Sequence, residues 1–173
     1  MQDGPGRHGP RPLYSAEERA RRDATRWTIV QGVLAPIQFA AFAVSLALIV
    51  RFMATGEGET LAHASIVLKT LLLYTIMVTG SVWEKVVFGR YLFASAFFWE
   101  DVVSMLVLAL HTLYLVALFA GSVNAVTLMA IALAAYATYV VNAAQFLLKL
   151  RQARRAVPSV RRLAEGAPEA AAS

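Results

Sequence analysis

Val102–Leu148 reads VVSMLVLALHTLYLVALFAGSVNAVTLMAIALAAYATYVVNAAQFLL and contains no Lys, Arg, Asp or Glu. A membrane helix needs roughly 20 apolar residues to cross the hydrocarbon layer, so this stretch holds two crossings. Gly121, Ser122 and Asn124 supply the turn between them. Glu100 and Asp101 mark the start of the first crossing, and Lys149 and Arg151 mark the end of the second.

Working outward, the run from Trp27 to Val50 is also uncharged and is closed by Arg51. It carries Gln31, Pro36 and Gln38; Pro36 lacks an N–H, which frees the carbonyl of Gly32 and predicts a kink. Met53–Thr60, with Gly56, Glu57, Gly58 and Glu59, reads as a short acidic loop. A further apolar stretch, about residues 62–88, includes Lys69 and ends in Trp83, Glu84 and Lys85. The fold class is therefore all-α, a four-helix transmembrane bundle with spans at about 27–52, 62–88, 98–120 and 125–150. Ser15 and Glu18 have capping-box spacing and predict a short charged helix over Ala16–Arg26. Residues 1–14 are expected to form a disordered tail, 15–155 the bundle, and 156–173 a flexible tail rich in Pro, Gly and Ala.

Composition agrees. The 173 residues are 58% hydrophobic and 16% charged, more apolar than a soluble core of this size requires. No cysteine is present, which excludes disulfides, thiolate nucleophiles and cysteine-held clusters. The net charge of +5 concerns orientation, not nucleic acid. Of 16 Lys and Arg, all but Arg51 and Lys69 fall on one side of the four-span arrangement, so both termini and the middle loop are expected in the cytoplasm. No cleavable signal peptide is expected, because the first apolar run follows a long polar segment and is itself long enough to span.

Chemistry must come from oxygen and nitrogen groups. Glu84 closes the second span while Glu100 and Asp101 open the third, which places the three acids at one cytoplasmic depth. Interfacial solvation and the helix macrodipole account for each acid taken alone. Against that, Trp83, Phe97, Phe98 and Trp99 would desolvate the carboxyls, and a carboxyl so placed can act as a general acid. Ser104 and His111 lie four and eleven residues after Glu100, on the same helix face. His111 is ~16 Å further along the axis, so a polar stripe enters the membrane. A lone intramembrane His often just bonds a neighbouring helix; the sharper reading is axial ligation of a metallated macrocycle. Haem electron transfer within one chain is disfavoured, because His8 lies in the tail and His63 near the opposite loop. Lys69 is expected to snorkel to the far interface. Tyr136, Tyr139, Asn142 and Gln145 give the last span a polar side that suits either interhelical bonding or a pocket wall.

Several runs resemble a known family: WTIVQG and LAPIQF in the first span, LYTIMVTG and WEKVVFG in the second, YLFASAFFWEDVVSMLVLALHT in the third and YATYVVNAAQFLLKLR in the fourth. They are similar to the vinyl chlorophyllide hydratases of bacteriochlorophyll biosynthesis in phototrophic bacteria, over roughly Leu13–Arg155. The resemblance implies a hydro-lyase that adds water to the C3 vinyl group of chlorophyllide a, giving a 1-hydroxyethyl substituent. It implies no cofactor, since magnesium comes with the substrate. On that footing Glu84 or Glu100 is the expected general acid, with Asp101 or the other carboxylate orienting water. Trp83, Trp99, Gln38, Ser104, His111, Asn142 and Gln145 are the expected pigment contacts, and His111 is a candidate axial ligand to magnesium.

The expected partners are the chlorophyllide and lipid, with no nucleic acid; other pigment-biosynthesis enzymes or a second copy of the chain are the candidate protein partners. The expected location is the bacterial inner or intracytoplasmic photosynthetic membrane. Two readings compete: a non-catalytic pigment-binding or assembly protein, and a small transporter, for which no internal repeat speaks.

Overall fold

The computed structural model describes residues 13–165, with side chains described as far as Arg151. Its elements are all helical: α1 (Ala16–Ala24), α2 (Arg26–Thr55), α3 (Glu59–Phe88), α4 (Phe98–Ala120) and α5 (Ala125–Glu165). Four helices are long and apolar enough to cross a membrane: α2, α3, α4 and the Ala125–Arg151 part of α5. Only about a quarter of each apolar stretch is buried within the protein, and surfaces such as Ile29, Phe39, Val78 and Phe119 face outward. Lipid is the solvent that makes such faces stable.

Local chemistry sets the helix ends. Ser15 and Glu18 form the reciprocal capping box at the start of α1. Thr25 ends α1 and caps α2 by accepting from the Trp27 N–H, which separates two helices where one charged helix to Arg26 was expected. Gly89 terminates α3 at φ 81°, a conformation that costs a residue with a Cβ but not glycine. α2 runs on through Pro36 without interruption.

Both ends of the chain depart from the sequence reading. Tyr14, assigned to a disordered tail, is buried: it stacks on Phe88 at 5.7 Å between ring centroids, meets Phe97 at 6.3 Å, and carries the Arg22 guanidinium 4.8 Å from its ring centre. The reason is the aromatic surface that Trp83, Phe88 and Phe97 leave for it. α5 continues to Glu165, past residue 156 where the tail was placed. Residues 1–12 and 166–173 lie outside the described residues.

α2 packs along α3, and α4 along α5, so the bundle consists of two antiparallel hairpins. Backbone approach between the hairpins is sparser, and long side chains bridge the seam. Tyr74 meets Thr112 at 2.8 Å, His63 meets Tyr114 at 2.6 Å, and the Tyr136 hydroxyl donates to Ser45 at 2.7 Å. An apolar core of Phe42, Ile49, Ile66, Met129 and Ala132 fills the end of the seam remote from the acids.

Candidate active site

Glu84, near the end of α3, and Asp101, in the first turn of α4, are brought to the same loop from opposite sides of the seam, each accepting from one of two successive backbone N–H groups. Two buried carboxyls held side by side repel each other when both are ionised, an arrangement suited to holding one proton between them. The loop joining their helices supplies further donors. The Phe93 N–H donates to Asp101 Oδ2 at 2.7 Å, and the Ala94 N–H donates to Glu84 Oε2 at 3.3 Å. Two successive N–H groups converge because Phe93 adopts φ 59°, in the left-handed region. That conformation costs a non-glycine residue about 1 kcal/mol or more and shapes the backbone into an anion-binding nest. The acids are 5% and 4% exposed. A cleft of about 210 Å³, lined by Glu18, Phe88, Arg90, Ala94 and Ser95, opens next to the same loop.

Glu100 occupies a different environment although it adjoins Asp101 in sequence. Lys149 Nζ donates to Glu100 Oε2 at 2.6 Å and lies 5.0 Å from the centre of the Phe97 ring. This ion pair sets Glu100 apart from Glu84 and Asp101. Of the expected aromatic enclosure, Trp83 and Phe97 pack inside, with Trp83 Nε1 donating to Thr28 Oγ1 at 2.9 Å. Trp99 is 69% exposed and turned outward, away from the acids.

Beneath the acids a polar column descends the seam. Asn142 Nδ2 donates to Ser104 Oγ at 2.8 Å. Asn142 Oδ1, Gln145 Oε1 and both amide atoms of Gln38 are buried without a hydrogen-bond partner among the described residues. A buried amide without partners is costly, on the order of 1–3 kcal/mol per group, so this level of the bundle is unfavourable for the fold alone. Deeper still, Lys69 Nζ lies 2.9 Å from His111 Nε2 and 4.0 Å from the centre of the Tyr139 ring. His111 Nδ1 is 2.8 Å from the Val107 carbonyl oxygen, which can only accept. Nδ1 therefore carries the hydrogen, and Nε2 accepts from Lys69.

This corrects the expectation for Lys69 and bears on that for His111. Lys69 does not snorkel to the interface: it is fully buried, because its position on α3 faces the seam and His111 and Tyr139 receive its ammonium. His111 presents no free ring nitrogen to a magnesium ion while Val107 and Lys69 occupy both. Glu84, Asp101, Glu100, Ser104 and Asn142 do meet at or just below one end of the bundle. Sequence reasoning missed Lys149 as the partner of Glu100, and the Phe93 and Ala94 N–H groups. The spacing of Tyr136, Tyr139, Asn142 and Lys149 at intervals of three, three and seven was the available signal for one helical face.

The family model that matches the chain is 2-vinyl bacteriochlorophyllide hydratase, over residues 14–152, which takes in all four spans and every group described above. The chain belongs to this family. A 2-vinyl bacteriochlorophyllide hydratase of Cereibacter sphaeroides is 68% identical over 144 residues, covering 83% of this chain and 89% of the relative. One from Rhodobacter capsulatus is 66% identical over 154 residues, covering 89% and 90%. No solved structure matches the chain. The resemblance carried by the WEK and FFWED runs is thus a family relationship, and those runs supply Glu84, Glu100 and Asp101.

Proposed function

We propose that this chain is a hydro-lyase of bacteriochlorophyll biosynthesis that adds water to the C3 vinyl group of chlorophyllide a, giving the 3-(1-hydroxyethyl) derivative. Membership of a hydratase family supports the reaction class, and two relatives at 66–68% identity carry that name. The observation that supports the site is the convergence of two buried acids, Glu84 and Asp101, on the adjacent Phe93 and Ala94 N–H groups.

Hydration of a vinyl group needs a proton at the terminal carbon, a water at the inner carbon, and return of one proton. In this reading the Glu84–Asp101 pair delivers its proton to the terminal carbon. The resulting positive charge sits beside the conjugated ring, which delocalises it, and next to a carboxylate pair that has just gained a second negative charge. The Phe93 and Ala94 N–H groups hold that anion in place. Water from the side of the adjoining cleft attacks the inner carbon and yields its extra proton to the pair, which restores the starting state. Such a general acid contributes typically 10²–10⁴-fold. Glu100, fixed by Lys149, adds negative potential near the cation.

The distribution of Lys and Arg supports a cytoplasmic location for both termini and for the acid end, in the inner or intracytoplasmic membrane of a phototrophic bacterium. The flat pigment would then arrive from lipid and water from the cytoplasm. A purely pigment-binding role is not favoured, since both relatives are hydratases by name. Membranes bearing the chain should convert chlorophyllide a to a pigment heavier by one water, read by mass spectrometry; recovery of unchanged pigment would sink the reading.

A further inference from the structure

We propose that Lys69, with His111 behind it, binds the free propionate carboxylate of the chlorophyllide and thereby sets the vinyl group against the Glu84–Asp101 pair. The inference rests on the hydratase reading for the identity of the substrate, and on three features of the bundle for the assignment.

First, Lys69 is a buried cation-forming group without an anion. Among the described residues no Asp or Glu lies within ion-pair distance of it. Its nearest partners are one imidazole nitrogen and the faces of Tyr139 and Tyr136. An ammonium has three donors and His111 takes one. A charged group at such depth is expensive, and intramembrane Lys is a functional candidate by default.

Second, the separation suits the ligand. Asp101 and His111 are about 15 Å apart along α4 at 1.5 Å rise per residue. In a chlorophyllide the vinyl group and the propionate sit on adjacent pyrrole rings and project outward. The vinyl terminus and the carboxylate are commensurate with that span.

Third, the intervening level is polar and unsatisfied. Gln38, 2% exposed, has no partner for either amide atom, and Asn142 and Gln145 each keep an unpartnered carbonyl oxygen, all among the described residues. These amides lie where the edge of a pigment spanning the two ends would pass. The substrate would enter between the hairpins, where contacts are made by side chains rather than by close backbones.

The distinguishing chemistry is the free acid. An esterified chlorin has the same ring and vinyl group but no anion for Lys69. The test compares chlorophyllide a with its propionate methyl ester in the full-length membrane-embedded chain, reading pigment binding by fluorescence titration and water addition by mass spectrometry. The free acid should bind about 10- to 100-fold more tightly than the ester, as loss of a charge-assisted buried contact implies. In Lys69→Met the preference should vanish because acid binding weakens, with ester binding unchanged. Equal binding of acid and ester by the unaltered chain overturns the assignment, and that comparison requires no variant to fold. Failure to hydrate either pigment would instead count against the hydratase reading, with the binding ratio still deciding the role of Lys69.

Discussion

Lys149 Nζ sits 2.6 Å from Glu100 Oε2, tying the membrane end of α5 to the first turn of α4. Glu100 is 7% exposed, so loss of its partner strands a charge. Lys149→Met should lower stability by about 3–5 kcal/mol, because breaking a buried pair costs more than the pair itself contributes. Glu100→Gln should be milder and keep water addition within about tenfold, since it removes potential but no proton donor. Thermal unfolding in detergent and turnover on the same preparations check both; complete loss of turnover in Glu100→Gln would return the acid role to Glu100.

The acid pair has a sharper signature. Glu84→Gln and Asp101→Asn should each reduce kcat by roughly 10²–10⁴-fold with pigment affinity retained. The double variant should be little worse than either single one, because groups that act as a unit are not additive. Multiplying losses in the double variant would show that the carboxyls act separately.

Phe93 separates backbone from side-chain roles. Phe93→Gly keeps the N–H and the positive φ, so turnover should fall by less than about threefold. Phe93→Pro cannot adopt φ 59° and has no N–H for Asp101, so activity should fall at least about tenfold. Similar rates in the two variants would count against the loop donors.

Gln38 should show opposed effects on stability and function. Its amide is buried without partners among the described residues, so Gln38→Leu should leave the thermal midpoint unchanged or raise it while weakening pigment binding. A loss of stability together with unaltered binding would mean that the amide serves the fold.

The four spans were legible because length and absence of charge suffice to identify a crossing, and helix order alone puts Glu84 at the same end as Glu100 and Asp101. What sequence could not supply was azimuth. Whether Lys69 points to lipid or to the seam depends on the rotation of α3 against α4, and the same uncertainty hid the meeting of Lys149 with Glu100. Trp99 faces outward although it is one residue from the buried Glu100. Phe93 was invisible for another: a bulky aromatic gives no sign of a left-handed turn, and the conformation follows from the requirements of the two acids it serves. Tyr14 was hidden by the Gly, Pro and Arg around it, although its binding surface was written in Trp83, Phe88 and Phe97.

The seam between the hairpins has a consequence for how the protein comes into being. Glu84 and Lys69 belong to the first hairpin, Asp101 and His111 to the second, so neither half holds a complete pair. A nascent chain that has inserted only α2 and α3 carries Glu84 without Asp101 and a lysine without its imidazole. On the proposed reading the acid site is complete only when the second hairpin docks. On that reading a half-built bundle cannot add water to pigment in the surrounding bilayer.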